Sequence, residues 1–237
     1  MRLKYFTVSH LLIILSLLVI LILATTDSRI VLGDKINPGT YATDSKPFGM
    51  TYEDWTIKFW QWLLPIPIDR NPLADMNGQH CGEGQGNLPV FFLAPADKGS
   101  VQRACNIPVG KAILVPVNIV ECSFKEFNVK TEQDLKKCAT EDESSDPGLL
   151  LSVDGKDFKE LQKYRIPTRA FDASFPKNGI FGVSSPGPTR AVSDGYWVML
   201  QPLSPGKHQI HFHATLTDPN TQLFSYNAEV KYNLNVS

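Results

Sequence analysis

His211 and His213, two residues apart in KHQIHFHATL, are the side chains of this sequence whose type and spacing most directly suggest chemistry. On a β-strand, residues i and i+2 face the same way with Cα atoms about 7 Å apart. Two imidazoles so placed can converge on one ion through bonds of about 2.0 Å. A third ligand is on offer in DMNGQHCGEGQGN, Asp75 to Asn87, where His80 and Glu83 sit among glycines that permit tight turns. His211 and His213 joined by His80 or Glu83 would make a site suited to zinc or copper. His80 and Glu83 are also the candidate acid–base pair. The plainer reading leaves His211 and His213 as solvated residues on the polar face opposite Ile210 and Phe212, with no cofactor at all. His208 has the inward parity but lies beside a turn, which brings it out at the rim.

Other catalytic signatures are absent from the sequence. GVSSPG lacks the spacing of a Gly-x-Ser-x-Gly elbow, and there is no phosphate loop, dinucleotide fingerprint or His-Glu-x-x-His. With 23 Lys and Arg against 24 Asp and Glu, the net charge is -1. The basic face that nucleic acid requires is therefore missing. The one acidic cluster, EDESSD at Glu141 to Asp146, reads as a solvated loop. A non-enzymatic binding or structural domain leads, and a metal-dependent protein is the alternative.

DWTIKFWQWLLPIP holds Trp55, Trp60 and Trp62. A helix is expected from Thr51, with Asp54 in the reciprocal position of a capping box. On that helix Tyr52, Trp55, Phe59, Trp62 and Leu63 form one stripe, and Ile57, Trp60 and Leu64 form its flank. Asp54, Lys58 and Gln61 take the remaining face. So wide an apolar arc describes a helix pressed into a core. Trp60, off the main stripe, is the one candidate ligand-binding aromatic, as a stacking face for a sugar.

The elements that must position these groups are mostly strands. FSYNAEVKYNLNVS alternates apolar and polar residues without a break, KHQIHFHATL alternates as well, and GYWVMLQPL is apolar on both faces. With Pro205 and Gly206 at the joint, three consecutive antiparallel strands are expected. Asp154-Gly155 and Asn178-Gly179 are hairpin signals, and Asp194-Gly195 opens the Trp197 strand. LPVFFLAP and GKAILVPVNIV read as buried strands, and a second helix starts at Thr131. The expected fold class is all-β: an immunoglobulin-like antiparallel β-sandwich with one or two short packed helices.

The first 27 residues stand apart from that domain. Arg2 and Lys4 precede an apolar run that reaches the ~20 residues needed to span a bilayer. This reads as a signal-anchor, or as a signal peptide if cleaved, with everything after it outside. Residues 28–49 read as a linker and 50–237 as one domain. The four cysteines, Cys81, Cys105, Cys122 and Cys138, show no Cys-x-x-Cys spacing. In an exported chain they are disulfides. Of the three connectivities, sequential pairing needs the fewest long-range coincidences. The expected location is the cell membrane with the domain outside, or the exterior if cleaved. The expected partners are the membrane and an envelope protein or ligand.

WTIKFWQWLLPIPIDRNPL, GQHCGEGQ, CNIPVGKAILVPVNIVEC and SDGYWVMLQPLSPGKHQIHF together resemble an uncharacterised family of exported prokaryotic proteins. That family shares a Trp-rich segment, a His-Cys-x-Glu-Gly-Gln stretch and a PLSPGxHxIxF strand pair. The resemblance implies that these segments belong to one exported domain, and it carries no activity with it.

Overall fold

The computed structural model describes residues 39–142, 147–183, 185–217 and 224–237. The expected anchor at 1–27 lies outside the described residues, as does the linker up to residue 38. Among the described residues no helix is long and apolar enough to cross a membrane. The described residues form one compact unit. From Gly39 the expected linker is part of it. Tyr41 donates its backbone N–H to the Met199 carbonyl, and the Pro47 carbonyl accepts the Trp55 indole N–H at 2.9 Å.

Among the described residues nine strands form two sheets. They are β1 (Val90–Phe92), β2 (Gly99–Ile107), β3 (Ala112–Ser123), β4 (Gly148–Val153), β5 (Lys156–Asp157), β6 (Phe171–Phe175), β7 (Gly187–Leu200), β8 (Gly206–Thr217) and β9 (Phe224–Val236). One sheet runs β1-β3-β7-β6 and the other β2-β9-β8-β4-β5. The all-β, two-sheet architecture matches expectation, but two pairings differ. β1 runs parallel to β3, and β2 runs parallel to β9 along its whole length, Gly99 opposite Ala228 to Ile107 opposite Val236. Alternation tells which face of a strand is buried and nothing about which neighbour it takes or in which direction.

The expected three-strand meander is also divided. β8 and β9 pair antiparallel from Gly206 opposite Val236, whereas β7 belongs to the other sheet. The reason is its double-sided apolar character. Trp197 and Met199 enter the cluster under the tryptophan helix, while Tyr196, Val198 and Leu200 enter the cluster between the sheets. The layers are therefore helix, sheet, sheet.

That helix, α1 (Tyr52–Leu63), has the expected cap: Thr51 Oγ1 accepts the Asp54 N–H and Asp54 accepts the Thr51 N–H. It ends where Pro65 removes a donor. α2 (Glu132–Asp142) is capped the same way by Thr131 and Asp134. Leu135 and Ala139 pack against Cys122 and Val192.

Two turn signals resolve differently. Asp154-Gly155 makes the β4–β5 hairpin with both residues at positive φ, as a type I′ turn requires. Asn178-Gly179 does not make a tight hairpin, because Ile180 turns into the core within a 3₁₀ turn and β6 meets β7 by a longer connection. Asp194-Gly195 lies inside β7, opposite Val120 and Ile119 and just beyond the register shift between Pro116 and Asn118. A Cβ on Gly195 would stand 2.5 Å from the Asn118 carbonyl oxygen and 2.8 Å from Ile119 Cα. Gly195→Ala is expected to cost about 3 kcal/mol, because backbone cannot yield as a side chain does. Urea unfolding checks it, and an unchanged midpoint would show that the strands separate freely there.

Candidate functional site

The side chains proposed for a metal do not converge. His211 Nε2 donates to Glu229 Oε1 at 2.8 Å, and the same oxygen meets Lys231 Nζ at 3.0 Å. The Ser100 hydroxyl, the Lys231 ammonium and the His211 ring together hold Glu229 down at about 2, against burial. His213 donates to Asn227 Oδ1 at 2.9 Å. His80 accepts from the Gln79 amide, and Glu83 pairs with Arg70 at 3.0 Å. Among the described residues no group of three or more His, Cys, Asp or Glu is placed to hold a metal ion. The topology gives the reason. The His80 loop hangs on the free edge of β2, with β9 between it and β8. β9 thus stands between the two segments, and each of the four side chains is engaged by its own neighbour.

The tryptophans are core. Trp60 is 3% exposed, and its indole N–H donates to Ser193 Oγ at 2.7 Å. Phe59 and Trp197 pack edge-on against it. It offers no face to a sugar. Trp62 donates to the Glu83 carbonyl at 2.7 Å, which ties α1 to the His80 loop.

That loop is built from its own sequence. Asp75 Oδ1 accepts the N–H groups of Asn77 and Gly78, each at 3.0 Å, and Oδ2 accepts that of His80 at 2.8 Å. Burial pushes the Asp75 carboxyl up, but these three backbone donors win and hold it below its ordinary value. Gly78 lies flat on β2, where a Cβ would come within 2.1 Å of the Ala104 carbonyl oxygen. The Gln85 side chain bonds both backbone groups of Phe92 and so stands in for a missing strand beside β1. The disulfides pair as expected, Cys81 with Cys105 and Cys122 with Cys138. Cys81–Cys105 fixes the loop to its strand across 24 residues. Cys81→Ala with Cys105→Ala is expected to lower stability by about 3 kcal/mol, read by urea unfolding. A loss under about 1 kcal/mol would mean that Asp75 and Gln85 hold the loop without the bridge.

The loop forms one wall of a polar trough on the outer face of the second sheet. Two adjoining hollows, about 580 and 620 Å³, share Ala104 and Asn106. The first lies between β2 and Asn77, Gln79 and Gly82, and the second runs over β9 and β8 to His208 and Asp154. Its amides are held in pairs across strands: Asn235 donates to Asn106 at 3.2 Å, and Gln209 to Asn233 at 3.3 Å.

The far end has the connectivity of a Ser-His-Asp triad but not its chemistry. His208 Nδ1 meets Asp154 Oδ2 at 2.7 Å, while Nε2 lies 2.9 Å from the Ser204 carbonyl and 3.4 Å from Ser204 Oγ. Both ring nitrogens face acceptors, so in this arrangement both carry protons. The bond to Asp154 accordingly raises the His208 pKa, with burial opposing. An imidazolium has no lone pair to take a proton from Ser204. His208 braces one turn against another.

One unusual group was not among the residues singled out from the sequence. Glu121 on β3 faces Ser193 on the α1 side and is 7% exposed, with no hydrogen-bond donor at either carboxylate oxygen. Burial, then the neighbouring Glu126 charge, push its pKa well above 4.5. Glu126 is raised as well, chiefly by burial, while the Ser123 hydroxyl donates to it at 2.6 Å. Two acids side by side are satisfied only by a shared proton. The one sequence signal was a glutamate inside the apolar run KAILVPVNIVEC.

No family model matches the chain, and no curated protein sequence matches it. The solution structure of Amebosin aligns at 9% identity, covering 60% of this chain and 100% of that chain, with a TM-score of 0.19. A likeness that low carries no argument.

Proposed function

We propose that this chain is a non-enzymatic binding domain of the cell envelope, held outside the membrane by its N-terminal segment or released if that segment is cleaved. The domain is immunoglobulin-like in its layering, with the parallel β1–β3 and β2–β9 pairs as departures from that plan. The observation that carries the reading is the pairing of all four cysteines in two disulfides, which belong to oxidising compartments. One of them locks a wall of the outer trough to its floor. The metal-dependent alternative draws no support from the placement of His211, His213, His80 and Glu83.

The test is export of the full chain in a host with an oxidising export pathway, followed by fractionation and thiol labelling without reductant. The expected result is a chain outside the cytoplasm whose cysteines do not label. Retention in the membrane after an alkaline wash means an anchor, and release means cleavage. A cytosolic chain that is functional with free thiols would overturn the reading.

A further inference from the structure

We propose that the outer trough binds a neutral, hydroxyl-rich chain, an oligosaccharide, along the β2, β9 and β8 strands. This rests on the binding-domain reading and names its ligand class. The lining chemistry decides the class. Asn106, Asn235, Gln209 and Asn233 lie along the trough, and Asn77 and Gln79 stand on its loop wall. Each carboxamide offers donors and an acceptor in one plane, which matches the alternating donor and acceptor character of neighbouring hydroxyls.

Charge argues the same way. The charged groups lining the trough are Lys207 and the Asp154–His208 pair, and the latter is closed on itself at 2.7 Å. No cluster of one sign is present to select an ionic ligand. No large aromatic lines either hollow; the apolar side chains there are Ala104, Leu234 and the half-cystines Cys81 and Cys105. Leu234 and Cys105 are buried on the inner side of the sheet, so an acyl chain would find no large exposed apolar side chain to cover.

Spacing and rigidity complete the argument. Amide rows repeat at about 4.8 Å across strands and about 7 Å along them, the scale of one sugar ring after another. The cross-strand pairs already restrict the amide rotamers, and Cys81–Cys105 restricts the wall. Less side-chain freedom is then lost on binding. Recognition by hydrogen bonds without stacking gives weak affinity, Kd on the order of 1 mM.

The experiment uses the full chain, oxidised and in mild detergent, with side-chain amide NMR as readout. The probes are neutral hexasaccharides of glucose, mannose and N-acetylglucosamine, and an extended Gly-Ser hexapeptide. The expected result is saturable shifts of the Asn106, Gln209, Asn233 and Asn235 amides with at least one sugar, weakened about tenfold in Gln209→Ala with Asn233→Ala. Both residues are exposed, so an unchanged unfolding midpoint confirms that the variant is folded.

No shift with any sugar overturns the inference. So do shifts that the double variant leaves intact, or equal shifts with the hexapeptide. The outcomes separate from those of the export test. An exported, disulfide-bonded chain indifferent to sugars loses this ligand class and keeps the binding-domain reading. A cytosolic, reduced chain loses that reading whatever the sugars do.

Discussion

Arg103→Met is expected to destabilise the domain by about 4 kcal/mol, and Arg103→Lys to recover less than half of that. Arg103 points inward from β2 and is 1% exposed. Its guanidinium donates to four backbone carbonyls: Asp75 at 2.6 Å, Ala94 at 2.8 Å, Pro95 at 3.0 Å and Leu73 at 3.1 Å. It also donates to the Tyr232 hydroxyl at 3.0 Å and stands 5.6 Å from that ring's centre. Methionine fills the volume but strands these acceptors in the interior, where an unmade bond costs more than a made one contributes. Lysine keeps the charge, but a single ammonium cannot reach carbonyls spread around a planar fork.

The consequence extends to the trough, because the chain that Arg103 holds at Leu73 and Asp75 leads straight into its wall. Asp75 fixes Asn77, Gly78 and His80. In whatever fraction of Arg103→Lys stays folded, faster amide hydrogen exchange is expected across residues 73–82. Urea unfolding and exchange together test this. A loss below about 1 kcal/mol with an unchanged wall would show that the guanidinium is replaceable by packing alone.

The second expected result is a stability that declines as pH rises, with Glu121 responsible. In the unfolded chain Glu121 titrates near 4.5, whereas burial and Glu126 raise it in the folded state. Between those two values the folded protein holds a proton that the unfolded chain has released. Folding then takes up a proton, and stability falls with increasing pH. The contribution is complete below 4.5 and is lost as pH climbs through the raised value. Glu126 adds to the slope with the same sign.

Glu121→Gln keeps the shape and removes the ionisation. At about pH 8 it is expected to stabilise the domain by about 1–3 kcal/mol and to flatten the dependence from pH 5 upward. At low pH it should be near neutral, since a protonated acid and an amide are similar guests. Denaturant melts at several pH values read this out. A wild-type stability that is flat over this range, or a variant equally weakened at every pH, would mean that the carboxyl is solvated or satisfied.

How much of this was legible in advance depended on how far along the chain each partner lay. The capping boxes at Thr51 and Thr131 close within three residues, so their side chains meet in any helix that starts there. The Asp154-Gly155 turn is set by the φ values those residues tolerate. The faces of β8 and β9 follow from alternation, and the broad arc of α1 announced its burial. Sequential cysteine pairing closes the short loops.

Everything that turned on a distant neighbour escaped. Nothing local to β2 could reveal β9 as a parallel partner, nor the four carbonyls that make a buried Arg103 guanidinium tolerable. Asp194-Gly195 has the composition of a turn. Only the approach of Asn118 and Ile119 explains why a glycine lies inside a long strand. His211, His213, His80 and Glu83 looked like one ligand set because residue type is visible in a sequence and strand order is not. With β9 between them, His211 pairs with Glu229 and His213 with Asn227, while His80 and Glu83 stay on a loop. The trough exists because Ala104, Asn106, Asn233 and Gln209 come from three strands laid side by side. Local bonding preferences are written residue by residue. Adjacency is decided by the packing of the whole chain, and on adjacency the binding surface depends.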